Sequence, residues 1–363
     1  MHGGCSGTRR TPPPWWRPLP TPTDDLPYDS PVNSVCDRRS FLRSLVLLGF
    51  ASPLLASCPR APQQSRVRRI GFIVGAGYDP LVAAFKEELR TLGYLDGVDI
   101  VIETRLTRPN TSDLPIMAAE LAHTDLELIV AGALPFALEV RTANPAMPMV
   151  IATCPGMISN GFAQSLEHPG RNVTGIDELP PGVTAKRLTL LKTAAPTLSS
   201  VALLSTTPGR GGHEMQLADA EQAARALGIR VKPYRAASLG ELQNALAAIV
   251  DNGMDGLLNF QGGLSLSNRQ LIVDFAAEHR LPAIYQATLF AEAGGLMSWA
   301  PDLENQYKMA AHYVDKILKG AKPGDLPITY PPKYFLTINS SAARGLGLSL
   351  PPALLAQADR VVA

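Results

Sequence analysis

The chain has 363 residues, 46% hydrophobic and 18% charged, which is apolar material for about two packed domains. Its 33 Lys and Arg balance 32 Asp and Glu to a formal net charge of +1, which excludes a basic nucleic-acid footprint and an electrostatic membrane patch. The four cysteines, Cys5, Cys36, Cys58 and Cys154, have the spacing of neither a zinc site nor a disulfide framework, and the six histidines do not cluster. No metal and no cofactor are expected.

Residues 1–34 are rich in proline and polar residues without apolar periodicity, and read as a disordered or untranslated extension. Residues 35–58 read as an export signal. Asp37-Arg38-Arg39-Ser40-Phe41-Leu42-Arg43 is close to a twin-arginine motif, with general export as the alternative because arginine pairs are common in such segments. A start near Val35 is the alternative to Met1. The apolar run Leu45–Leu55, interrupted by Pro53, has the length of a signal core and is too short to span a bilayer. It ends in Leu55-Ala56-Ser57-Cys58, which resembles a lipobox, so Cys58 is the candidate lipidation site; a plain cleavable signal is the alternative. Residues 59–69 form a polar tether.

Strand and helix patterns then alternate. Ile70–Val74 is a strand, followed by a helix over Pro80–Leu92 stopped by Gly93. Next come strand Val98–Glu103, helix Asp113–Ala122, strand Leu126–Val130, helix Phe136–Ala143 and strand Met149–Ala152. After strand Asn172–Ile176 the breaker Glu178-Leu179-Pro180-Pro181-Gly182 marks a first crossing. Helix Thr184–Thr193 opens a second series: strand Val201–Leu204, helix Glu214–Leu227, strand Arg230–Tyr234, helix Leu239–Val250, strand Gly256–Phe260, helix Asn268–His279 and strand Pro282–Tyr285. Such alternation predicts parallel sheets covered on both faces.

The stretch Leu281–Asp302 is expected to carry the chain between lobes, with the paired Gly294 and Gly295 marking a bend or a close backbone approach. Leu296–Ala300 is the expected second crossing. Asp302 is a good N-cap for the helix Asp302–Lys319, whose apolar stripe from Leu303 to Leu318 points it back onto the first lobe. Tyr334–Ile338 is the expected third crossing. The fold class is therefore α/β, with two doubly wound, Rossmann-like lobes around a ligand cleft and a multi-strand hinge. Lobe 1 takes residues 70–177 and 300–335; lobe 2 takes 178–299 and 336–363.

Motifs of catalysis are lacking: there is no nucleophile elbow and no P-loop. Gly75-Ala76-Gly77-Tyr78-Asp79-Pro80 is half a dinucleotide fingerprint, and Pro80 stands where the third glycine belongs, so a ligand-binding turn is the better reading. His213 reads as an ordinary surface histidine and Cys154 as a small buried hydrophobe. In open α/β sheets ligands lie outside the carboxyl ends of the strands. That rule selects Gly75, Ala76, Tyr78, Gly132, Ala133, Leu134, Thr153 and Cys154 in lobe 1, and Thr206, Thr207, Asn259, Gln261, Tyr285 and Gln286 in lobe 2. Tyr78 and Tyr285 are candidates to sandwich an apolar group.

Three segments carry a resemblance: LPAIY…FAEAGGLMSWAPD from Leu281, with Tyr313–Pro323 after it; His168-Pro169-Gly170-Arg171-Asn172-Val173-Thr174-Gly175; and Ala343–Pro352. From about Arg68 onward the chain resembles the ABC transporter substrate-binding protein family, which has the type I periplasmic-binding fold and includes tryptophan-binding-like receptors. The resemblance implies an extracytoplasmic, periplasmic receptor, expected to be a monomer held to the membrane only by its lipid. It delivers a small organic ligand (an amino acid, an aromatic or a related metabolite) to an ABC permease of the inner membrane by cleft closure. No nucleic-acid partner and no enzymatic activity are implied. A sensory or scavenging module without a permease is the alternative, and an NAD-type enzyme ranks last. Relatives often carry Gly-Asp-Pro-Val after the fourth strand, where this chain has Pro155-Gly156-Met157-Ile158. If that acid holds a ligand amino group in relatives, the contact is lost here.

Overall fold

The structure is a computed structural model that describes residues 67–107, 113–206, 211–260 and 262–363. The extension, the signal with Cys58, most of the tether, Thr207 and Gln261 lie outside these residues.

Apolar alternation builds the first sheet. In β1 (Arg68–Gly75), Ile70, Phe72 and Val74 face one core and Ile73 faces the other, as a central parallel strand requires. Pro80 sits in the first turn of α1 (Asp79–Thr91), which buries Val82, Phe85 and Leu89. The Phe85 ring meets Phe72 at 4.8 Å. Past the end of α1, Gly93 adopts φ +96°, where a side chain would be strained. β2 (Ile100–Thr107), α2 (Leu114–Ala122), β3 (Leu128–Ala131), α3 (Leu134–Ala143), β4 (Met149–Cys154) and β5 (Val173–Asp177) follow. The sheet order is β2-β1-β3-β4-β5, all parallel.

The second lobe repeats that plan. It contains α4 (Val183–Ala194), β6 (Ser200–Ser205), α5 (Gly211–Leu227), β7 (Arg230–Arg235), α6 (Leu239–Asp251), β8 (Leu257–Asn259), α7 (Gly263–Ser267), α8 (Arg269–Glu278), β9 (Ala283–Tyr285), α9 (Thr288–Glu292) and β10 (Met297–Pro301). Strands β7-β6-β8-β9-β10 stand in the same relative order as the first sheet. Beyond them β11 (Tyr334–Asn339) lies antiparallel to β10, and β12 (Arg360–Val362) lies parallel to β11. α11 (Ser340–Gly345) and α12 (Pro352–Leu355) link the last two strands.

Between β10 and β11, α10 (Leu303–Leu318) returns to the first lobe and buries Tyr307, Ala310, Ala311, Val314 and Leu318 in the core of β1 and α1. Asp302 caps it, accepting the Asn305 amide at 3.3 Å. The expected crossing strands need a correction. β10 and β11 are hydrogen-bonded members of the second sheet along their lengths, so they do not themselves cross. The chain crosses in the short segments beside them: after β5, after β10 at Asp302, and before β11. Leu281–Asp302 thus belongs to the second lobe and crosses only at its end. Gly295 does make a close approach, but within that lobe: a Cβ there would meet the Phe290 carbonyl at 2.8 Å and the Tyr285 ring at 2.5 Å.

Candidate functional site

Both sheets end their parallel strands toward one junction, and the three crossings run along it. On the first-lobe side the β1–α1 turn presents Tyr78, which is half-buried and packs against the α1/α10 core of its own lobe and the α6/α8 core of the other. Burial, with the Glu178 charge adding, pushes its phenol up to about 12. Gly75 is half-buried and Ala76 exposed. The Gly132 carbonyl accepts two hydroxyls, from Thr153 at 3.0 Å and from Tyr307 at 3.1 Å, and a Cβ on Gly132 would stand 2.7 Å from that Tyr307 oxygen. Ala133 is half-buried beside it. The side chains of Leu134 and Cys154 turn into the core beneath α2 and α3, and burial drives the Cys154 thiol well above its ordinary pKa.

On the second-lobe side Thr206 accepts the Ser265 amide at 3.3 Å, and Gln286 donates to Gln216. Asn259 is fully buried with neither amide atom hydrogen-bonded. Tyr285 is also fully buried; its ring stacks on Phe290 at 4.7 Å, so one face of the expected sandwich is already occupied. His213 corrects its reading as a surface residue. It is 2% exposed, edge-on to Phe260, with neither ring nitrogen hydrogen-bonded, and burial lowers its pKa.

The hinge supplies residues the strand-end rule does not select. Asp177, the last residue of β5, accepts the amides of Gly156 at 3.0 Å, Met157 at 2.8 Å and Leu179 at 2.9 Å, which fixes the β4–β5 loop to the first crossing. Burial raises its pKa while those three amides oppose the rise. Gly156 takes φ +83°, and a Cβ there would meet Ser159 Oγ at 2.3 Å and Gly212 Cα at 3.0 Å, so this loop has no room for an acidic side chain. Glu178 comes next in the chain. Its carboxyl accepts Gln306 Nε2 at 3.4 Å, and its backbone carbonyl accepts the Tyr334 hydroxyl at 2.8 Å. Arg187 on α4 is buried, donates Nε to the Trp299 carbonyl at 2.9 Å and lies 5.9 Å over the Trp299 ring. The Glu178 contacts tie α10 and β11 to the first crossing, and the Arg187 contacts tie α4 to β10.

Two voids lie at this junction. The larger, about 360 Å³, sits between the β4–β5 loop and α5, lined among others by Ile158, Leu179, Gly182, Met215 and Gln222. None of the described candidates selected from the sequence borders it, and its carboxylates, Asp177 and Asp219, are satisfied by backbone amides. A second void, of about 10 Å³, is bordered by Pro155, Glu178, Leu179, Arg187, Gln286 and Pro301. That is room for one water-sized group, so a larger ligand requires the lobes to part.

The comparisons agree with this architecture. A tyrosine-binding protein of Clostridioides difficile (strain R20291) is 23% identical over 270 residues, covering 74% of this chain and 77% of its own. The ABC domain from Streptococcus pneumonia in complex with L-Trp has the same fold at TM-score 0.75 and 22% identity, covering 81% of this chain and 99% of the other. A conserved domain protein from Vibrio cholerae matches at TM-score 0.73 and 24% identity over 82% and 100% of the two chains. The fold is that of type I periplasmic binding proteins. The family model for ABC transporter substrate binding proteins matches residues 67–362, nearly the whole described chain, and this protein belongs to that family.

Proposed function

We propose that the protein is an extracytoplasmic solute receptor that captures a small organic ligand between its lobes and hands it to an ABC permease. The observation that carries this reading is the convergence of both sets of strand carboxyl ends on one junction hinged by three short crossings. Tyr78, Ala133, Thr153, Thr206, Asn259 and Gln286 would line the ligand there; Thr207 and Gln261, which lie outside the described residues, stay candidates from the sequence alone. The two walls contact one molecule together only when shut, so ligand binding favours the closed state. Capture and release, not catalysis, is the role. The tyrosine-binding and L-Trp-bound relatives support amino acids and aromatic metabolites as the first compounds to test.

A thermal-shift screen of amino acids, aromatic acids, polyols and related metabolites tests the reading. A true ligand at a hundred times its dissociation constant adds about 2.7 kcal/mol to stability. A flat response across the library sinks it.

Among the described residues no helix is long and apolar enough to cross a membrane. We propose that membrane attachment is through a lipid on Cys58, because Leu55-Ala56-Ser57-Cys58 resembles a lipobox; the expected tether ends before Arg68, which opens β1. Cys58→Ala is expected to move the protein from the membrane fraction to the soluble one with its folding intact. Equal fractionation of both forms, with no lipid in the intact mass, removes the anchor.

A further inference from the structure

The void of about 360 Å³ has no part in solute capture as proposed above, yet its size is that of a small-molecule pocket. Its walls come from the β4–β5 loop of the first lobe, from the first crossing, and from α4 and α5 of the second lobe. Met215, Asp219 and Gln222 recur along α5 at helical spacing, so the void runs beside that helix for about two turns. Most of the wall is apolar. Leu179, Pro180 and Pro181 belong to the crossing, Ile158 to the loop and Met215 to α5. Ile158 and Met215 remain 46% and 43% exposed, although both are large and apolar. A thioether and two proline rings form a wall on which a planar aromatic ring packs well.

The polar part of the wall is specific about charge. No Lys, Arg or His stands among the described lining residues, so an anion finds no partner. The two carboxylates are already engaged. Asp177 takes three backbone amides. Asp219 Oδ2 accepts the amides of Thr184 at 3.1 Å and Ala185 at 3.3 Å, at the positive end of the α4 dipole. Amides and dipole offset those charges, so the wall does not call for a cation. Two atoms at the start of α4 are left over. Thr184 is fully buried and its hydroxyl has no partner, which is costly as it stands. Asp219 Oδ1 receives no hydrogen bond from the described residues. The first atom can donate and the second can only accept; a hydroxyl group on an occupant answers both.

We propose that this void is a second binding site, for an uncharged aromatic alcohol or phenol whose ring lies against Met215 and the prolines and whose hydroxyl bridges Asp219 Oδ1 and Thr184. Both lobes supply its wall, so an occupant favours the arrangement in which the two walls meet.

The test titrates four naphthalenes into solute-free protein: 2-naphthol; 2-methoxynaphthalene, which cannot donate; 2-naphthoate, an anion; and 2-naphthylmethylamine, a cation. The readout is the isotope-labelled methyl resonance of Met215, which a bound ring shifts; Met215→Leu identifies it among the nine methionines. 2-Naphthol should shift it saturably. The methyl ether should bind about threefold to tenfold more weakly, the worth of one hydrogen bond. The naphthoate should not bind, and the amine should bind no tighter than 2-naphthol. Ala218 and Gln222 border the void from the exposed side of α5, so Ala218→Phe and Gln222→Trp should each fill it and weaken 2-naphthol at least tenfold, with thermal unfolding unchanged. Gly212→Ala should weaken 2-naphthol severalfold, because its Cβ would meet the Pro155 carbonyl oxygen at 1.9 Å and part the walls.

An unmoved Met215 resonance, or equal 2-naphthol affinity in wild type and both filled variants, overturns the site. Equal affinity for 2-naphthol and its methyl ether, or tighter binding of the naphthoate or the amine, overturns the hydroxyl class. Equal affinity in wild type and Gly212→Ala overturns the link to closure. Every titration is made without solute, so these failures leave the receptor reading standing; that reading falls only with the thermal-shift screen.

Discussion

Gly175→Ala is expected to destabilise the protein by about 2–6 kcal/mol, from overpacking of roughly 1–3 kcal/mol and backbone strain of similar size. Gly175 lies in β5 at φ +147°, and a Cβ there would stand 2.1 Å from the Ile151 carbonyl oxygen and 2.8 Å from the Ile151 nitrogen. Those are backbone atoms of the paired strand β4, so no rotamer change relieves the overlap. The strand cannot move aside cheaply, because the same segment anchors the third crossing. Thr174 Oγ1 donates to the Leu326 carbonyl at 2.9 Å, the Asp177 amide donates to Thr329 at 3.0 Å, and the Thr329 amide reaches the Gly175 carbonyl at 3.3 Å. Gly253→Ala is the control. It also has positive φ, +61°, but nothing lies within 4 Å of its Cβ position, so it should cost only about 1–2 kcal/mol of conformational strain. Urea unfolding of the three proteins separates the two effects. Equal midpoints for Gly175→Ala and Gly253→Ala would mean that the β4–β5 contact is not as close as described.

Much of this arrangement was legible in the chain because it rests on local rules. Short apolar runs located the central strands, Pro80 and Gly93 bounded α1, and Asp302 capped α10. The segment from His168 to Gly175 stood out as a motif, and its residues work by backbone proximity. The Gly170 amide donates to the Gly324 carbonyl at 3.0 Å, Asn172 Nδ2 donates to the Pro145 carbonyl at 3.0 Å, and Gly175 packs on Ile151. Helices of four to six residues, α7, α9, α11 and α12, complete too few turns to show a 3.6-residue period, and β12 has only three residues.

The strand-end rule fixes where the backbone of a candidate lies, but not which way its side chain points. Leu134, Cys154 and Tyr285 accordingly turn into cores, while Gln286 borders the junction void and Ala133 is half-buried. Glu178 read as part of a loop breaker. Its weight comes from Gln306, which is 128 positions away, and from the enclosure that α4, α10 and β11 build around it. Sequence spacing holds no trace of that convergence. The one local signal was an acid placed where the chain leaves a buried strand between two lobes. His213 escaped for a related reason: at the start of α5 it packs edge-on to Phe260, which is 47 positions away.

Gly212→Ala should block closure of the lobes while sparing the fold of each. Gly212 lies in the first turn of α5, and a Cβ there would stand 1.9 Å from the Pro155 carbonyl oxygen, 2.7 Å from its carbon and 3.4 Å from the Gly156 nitrogen. All three atoms belong to the β4–β5 loop of the opposite lobe. Within its own lobe the alanine is favourable, because glycine in a helix costs roughly 1 kcal/mol relative to alanine. In the closed state, by contrast, the methyl group would force the lobes apart by about an ångström or more at this contact. The methyl group thus acts as a wedge on one state of a two-state hinge, and the apparent affinity falls with the fraction of molecules that can still shut. A cost of about 1.4–3 kcal/mol on the closed state weakens binding by roughly tenfold to a hundredfold. The measurement is affinity for whichever compound stabilises wild type in the screen, paired with solution scattering with and without that compound. Wild type should contract on binding, whereas Gly212→Ala should keep its unliganded radius until the compound is present in large excess. Unchanged affinity together with the same contraction in both proteins would show that Pro155 and Gly212 do not meet when the receptor closes.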